Sequence, residues 1–202
     1  MAYTQLFIDY LAAKDPYRLK FFDECGLKLP SHGTRSYGHA PVGKRAFEFI
    51  RYCETANVTV NLMCSLQGVT YVNTVDGPAD SFDFLQFFEE ATNSADPRTD
   101  RPCLEVDDII VMDNCPTHHG LVSEMLREFL NEMNIEIVFM PAYSPDFNPA
   151  EYVFGKIRTL MKYQFWNLTN TNIRDSLYAS VQHITPGDMA GFYNVTGYLN
   201  VH

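Results

Sequence analysis

Long apolar runs are missing from this chain. None approaches the roughly 18–20 residues that cross a bilayer, so no membrane partner is expected. The opening stretch MAYTQLFIDYLAAK lacks a basic leader and carries Asp9 among its apolar residues, which argues against a secretory signal. Cysteine is sparse: the five residues at 25, 53, 64, 103 and 115 are odd in number and without compact spacing. Reduced thiols are therefore expected rather than a disulfide frame, in the nucleus of a eukaryote or otherwise the cytoplasm. Internal repeats and low-complexity tracts are missing as well. Basic residues are outnumbered, 15 Lys and Arg against 25 Asp and Glu, for a net charge of −10. At face value that balance argues against nucleic acid as a partner.

What is present alters that view. Hydrophobic residues make up 46% of the 202 positions and aromatics 14%, enough for a substantial core. The charge is also unevenly spread. Residues 52–151 hold 3 Lys or Arg against 18 Asp or Glu, whereas seven basic residues fall between Arg18 and Arg51. Sign asymmetry of this kind points to a charged partner; scattered basic side chains around acidic solvated faces are the plainer explanation.

Residues 3–13 have helical spacing, with Leu6, Tyr10 and Leu11 as the apolar face. RLKFF reads as a short strand ending at Asp23 and Glu24. ANVTVNLMCSL and VTYVNTV read as a hairpin turning at Gln67-Gly68. Phe84, Leu85, Phe87 and Phe88 mark a helix across 81–92, and NSADPRTDRP reads as a surface loop. DDIIVMDN contains four consecutive apolar residues, the mark of a strand buried on both faces. Thr117 fits an N-cap for a helix over 118–133 with Leu121, Met125, Leu126, Phe129 and Leu130 inward. IEIVFM predicts another buried strand, and a helix runs from Pro149 to about Lys162. Two weaker helical stretches close the chain. This order predicts a mixed α/β sheet flanked by helices.

Three acids stand where strands and helices begin or end: Asp23, Asp113 and Glu151. Carboxylates leaving apolar strands are costly to bury unless a cation or donors compensate them. Side by side they would repel, a conflict that Mg²⁺ resolves. Each also has a purely structural explanation. Asp113-Asn114 starts a turn, Asp23-Glu24 ends a strand, and Asn148-Pro149-Ala150-Glu151 fits N-cap, N1, N2 and N3 of a capping box. Counting about 100° per residue, Gly155, Arg158 and Lys162 follow Glu151 along one stripe of the helix, with Val153, Phe154, Ile157, Leu160 and Met161 mostly opposite.

IIVMDNCPTHH followed by IEIVFMPAYSPDFNPAEYVFGKIR resembles the catalytic domain of mariner-like DDE-superfamily transposases. FFDECGL is similar to their first strand, and RSYGHAPVGKR to the Gly-Pro-Gly-Arg loop after it. The resemblance covers residues 18–165. It implies a ribonuclease-H-like fold and a catalytic, metal-holding triad of Asp23, Asp113 and Glu151, with Glu24 the less suited first member. Two Mg²⁺ or Mn²⁺ ions, DNA as substrate and a homodimer are implied with it. Arg35, Lys44 and Arg45 in the loop, His118 after Asp-Asn, and Arg158 and Lys162 on the helix are the implied DNA contacts. An exposed basic loop and a helix-start histidine explain the same residues without DNA. Cys115, His118 and His119 lack a second ligand pair at zinc spacing. On this reading residues 1–17 form a helix or a linker remnant, 18–165 the catalytic domain and 166–202 a helical extension. Full-length relatives begin with helix-turn-helix modules, for which there is no room before residue 18. A catalytic core alone is expected, active or retained only for DNA or protein binding.

Overall fold

A computed structural model describes residues 2–27, 40–44, 58–113 and 121–199. Helix α1 (Ala2–Ala12) leads through a 3₁₀ turn at Pro16–Arg18 into strand β1 (Leu19–Leu27). Strands β2 (Val58–Ser65) and β3 (Gly68–Asp76) form the expected hairpin, followed by helix α2 (Ser81–Thr92). The two-residue strands β4 (Ala95–Asp96) and β5 (Arg101–Pro102) precede β6 (Ile109–Met112), α3 (Leu121–Asn131) and β7 (Glu136–Phe139). Four helices close the chain: α4 (Pro149–Tyr163), α5 (Trp166–Thr171), α6 (Ile173–Val181) and α7 (Pro186–Val195).

Five strands make one mixed sheet in the order β3-β2-β1-β6-β7. β1 is its hinge in both senses of direction. It pairs antiparallel with β2, from Phe21 opposite Cys64 to Leu27 opposite Val58. On its other side it pairs parallel with β6, which continues parallel to β7. Helices cover both faces, as in ribonuclease-H-like folds.

Alternation along the strands divides the core in two. Leu19 and Phe21 of β1, with Ile109 and Val111 of β6, join Val153, Phe154, Ile157 and Met161 of α4 and Leu177, Met189 and Tyr193 of the last helices. The side chains between them, Phe22, Ile110 and Met112, face Phe84, Phe87 and Phe88 of α2 and Leu126 and Leu130 of α3. Phe22 lies 5.4, 4.9 and 5.1 Å from the three α2 rings, centroid to centroid. The closing helices are bound into the sheet's own core: the Tyr193 hydroxyl donates to the Leu19 carbonyl at 2.9 Å.

Several expectations need correction. β1 does not end at Asp23 and Glu24 but runs on to Leu27, because β2 continues to supply hydrogen-bonding partners. α1 buries Phe7 and Leu11, leaving Leu6 and Tyr10 exposed. β7 is an edge strand and only half-buried. Met125 of α3 is exposed, while Leu126 and Leu130 are buried. The segment read as a surface loop contains the β4–β5 pair, where Arg98 donates to Asp96 Oδ2 at 2.8 Å and the Val69 carbonyl at 2.6 Å. Thr117 lies outside the described residues.

Candidate active site

Register places the first two acids. Phe21 stands opposite Val111 in the parallel β1–β6 ladder, so Asp23 and Asp113, each two residues on, lie at neighbouring positions. Phe21 and Val111 belong to the core beneath α4, and a step of two keeps the side chain on the same face. Asp23 is thus directed to the α4 side, where Asn148 meets it, and Glu24 shares the α2 side with Phe22; Asp113 follows directly on the last residue of β6. That alternation separates the two members of the Asp-Glu pair.

Glu151 stands in the first turn of α4. Asn148 caps this helix, its Oδ1 accepting from the Ala150 N–H at 3.0 Å. The Asn148 backbone N–H is already used by the preceding 3₁₀ turn, donating to the Pro145 carbonyl at 2.9 Å. It does not close a capping box with Glu151, whose remaining structural role is that of an acid in the first helical turn. Turn chemistry around Pro145 and Pro149 sets this carboxylate at the start of α4.

Asp23 is half-buried and its carboxyl is pushed up to about 7, chiefly by burial and further by the nearby charges of Glu151, Asp113 and Glu24. The Glu24 N–H opposes this by donating to Asp23 Oδ1 at 2.8 Å. On the other oxygen, Asn148 Nδ2 donates to Asp23 Oδ2 at 2.8 Å. Glu151 and Asp113 thus both act electrostatically on Asp23. Among the described residues, however, no three His, Cys, Asp or Glu side chains form a group that could hold a metal ion as they stand. The acids converge in charge without being drawn into a ligand cage.

Two further residues border the site. Cys25, two residues beyond Asp23 and on the same face, accepts a hydrogen bond from Arg158 Nη2 of α4. Burial pushes its thiol up, opposed by the Arg158 guanidinium. A shallow cavity of about 530 Å³ adjoins Glu151, lined also by Tyr152, Gly155, Lys156 and Phe192.

The predicted stripe is present on α4: Glu151, Gly155, Arg158 and Lys162 are exposed, and Val153, Phe154, Ile157 and Met161 are buried. Leu160 is half-buried. Lys44 is exposed on a turn closed by its own N–H to the Pro41 carbonyl. Arg35, Arg45 and His118 lie outside the described residues, as do Cys115 and His119. Sequence reasoning found the N-cap role of Asn148 but missed its contact with Asp23, and it missed the pairing of Cys25 with Arg158. The i, i+2 spacing puts Cys25 on the face of Asp23, but both contacts join residues more than 120 positions apart and carry no local signal.

Comparison with known proteins agrees with this architecture. Among curated proteins, none matches the chain in sequence. Among solved structures, the Mos1 mariner paired-end complex with Mn matches at TM-score 0.68 and 15% identity, covering 96% of this chain and 57% of that one. A pre-cleavage Mos1 transpososome matches at 0.61 and 16%, covering 96% and 60%. The Mos1 transposase catalytic domain with raltegravir and Mn matches at 0.64 and 14%, covering 96% and 88%. The chain thus spans under two thirds of the Mos1 chains in the DNA complexes and most of the catalytic-domain chain. At these identities the likeness establishes the fold. The sequence profile of the DDE superfamily endonucleases matches residues 18–171, and the chain belongs to that family.

Proposed function

We propose that this chain is a transposase catalytic core that cleaves and rejoins DNA phosphodiester bonds with a divalent metal. The observation that carries the reading is the contact between the start of the Glu151 helix and β1, where Asn148 Nδ2 donates to Asp23 Oδ2 at 2.8 Å beside the parallel strand β6; burial and the charges of Glu151 and Asp113 raise the Asp23 carboxyl there. Such a surplus of negative charge on one sheet face suits a cation. An all-carboxylate donor set favours hard ions such as Mg²⁺ or Mn²⁺. Asp23, Asp113 and Glu151 would hold them. Asp113 and Glu151 are exposed. Mos1 structures were solved with Mn and with Mg.

When bound, such ions activate the attacking oxygen and neutralise the leaving one. The protein's own part is to aim the ligands and hold the substrate. The Glu24 N–H and the Asn148 amide fix the Asp23 carboxyl plane. Arg158 and Lys162 on the Glu151 stripe, with Lys44, Arg35, Arg45 and His118, are the proposed phosphate contacts. Transposon-end and target DNA are the proposed partners, bound by a homodimer, in keeping with the Mos1 paired-end complexes.

The test is nicking of supercoiled DNA by purified protein in Mg²⁺ or Mn²⁺. Asp113→Asn and Glu151→Gln are expected to lose more than about a hundredfold in rate, since even outer-sphere changes at metal sites cost 10–100-fold. Undiminished nicking by either folded variant refutes the assignment. A wild-type protein that binds DNA but neither binds metal nor nicks would instead be a transposase-derived binding protein.

A further inference from the structure

We infer that Asn148 is the positioning residue that sets the relation between Asp23 and Glu151. The inference deepens the proposed function and rests on it. Asn148 is 2% exposed, and its polar atoms are all engaged. Its backbone N–H donates to the Pro145 carbonyl at 2.9 Å, closing the turn. Its own carbonyl accepts from the Glu151 N–H at 3.2 Å. The side-chain oxygen caps α4 through the Ala150 N–H at 3.0 Å, and the side-chain nitrogen donates to Asp23 Oδ2 at 2.8 Å.

One residue therefore grips the first acid by its side chain and the third by its backbone. The two acids are 128 positions apart in sequence, yet their spacing runs through this one buried asparagine. A carboxylate has about four lone-pair sites on its two oxygens. Glu24 and Asn148 each occupy one, on opposite oxygens, and so fix the orientation of the carboxyl. An N-cap alone does not require asparagine: serine and aspartate cap equally well. Only the contact with Asp23 demands a side chain that accepts with one atom and donates with the other. This makes the capping and aiming roles separable by mutation.

Asn148→Asp keeps shape and cap but turns the donor facing Asp23 into a carboxylate; Asn148→Ser keeps the cap and cannot reach. Both are expected to keep the wild-type circular dichroism and the amide-exchange protection of α4. Both are expected to nick DNA at least about tenfold more slowly at saturating Mn²⁺, and Asn148→Ser to bind Mn²⁺ alone about tenfold more weakly by calorimetry. By NMR, the Asn148 side-chain amide protons are expected to be protected from exchange and to shift in Asp23→Ala. That readout requires neither metal nor activity. Amide signals indifferent to Asp23→Ala overturn the inference and leave the metal reading intact. So does wild-type nicking in either folded Asn148 variant. Mn²⁺ affinity indifferent to loss of Asp23 overturns the metal reading, and the inference with it.

Discussion

Asp23→Asn is expected to stabilise the protein while destroying the site, and the gain is expected to grow with pH. In the fold the Asp23 carboxyl sits at about 7, against an ordinary value of 3.8. Between those values the folded state holds a proton that the unfolded chain has released. Wild-type stability therefore falls as pH rises, by about 1.4 kcal/mol per pH unit, and levels off above about 7. The full shift corresponds to about 4 kcal/mol at pH 8 and about 1.5 kcal/mol at pH 5. Solvent reaching the half-buried carboxyl screens part of both. Asparagine abolishes this cost at every pH but introduces another. Both neighbours of the carboxylate are donors, Glu24 N–H and Asn148 Nδ2, so the new amide nitrogen meets a donor and one bond is lost. That loss is about 1–3 kcal/mol and does not depend on pH. At pH 8 the charge effect wins and the variant is the more stable protein; at pH 5 the two nearly cancel or reverse. For a chain of this size about 2.5 kcal/mol of difference is a change of about 5–10 °C in relative midpoint. Thermal melts of both proteins with chelator present, from pH 5 to 8, measure it. A midpoint difference flat across that range refutes the claim that burial and like charge act on Asp23.

Phe22→Ala removes a fully buried ring packed on three others and is expected to cost about 3–5 kcal/mol in urea unfolding. Gly68→Ala places a side chain at φ +125° with its Cβ 2.2 Å from Arg98 Nη1. Displacing that guanidinium breaks its bonds to Asp96 and Val69, for an expected loss of about 2–3 kcal/mol by the same measurement. If Arg158 and Lys162 meet DNA phosphates, their alanine variants each lower the slope of log affinity against log salt by about 1; slopes equal to wild type remove them from the interface.

The sequence made the order of sheet and helices legible because apolar runs and helical spacing are local signals. Residues 109–112 are all buried as read, and the exposed stripe from Glu151 to Lys162 follows from counting turns. The end of β1 was misread because an Asp-Glu pair looks like a strand terminus, while the partner that keeps it in the sheet lies about 40 residues away. The nearness of Asp23 and Asp113 was legible only as an expectation from strand neighbours, and the part of Glu151 only from the family resemblance. Asn148 was legible as a cap but not as a clamp, because its contact with Asp23 spans 125 positions. The last helices showed weak patterning, and nothing local announced that Tyr193 would be sealed against β1.

The division of β1 between two cores makes its hydrophobic side chains a jig that indexes the acid. A slip of one residue would swing Asp23 away from α4 to the far side, and would also drive Phe21 and Phe22 into each other's places. Misalignment of the chemistry is thus inseparable from loss of packing. Natural drift at these aromatic positions is expected to loosen the aim of that carboxylate along with the packing.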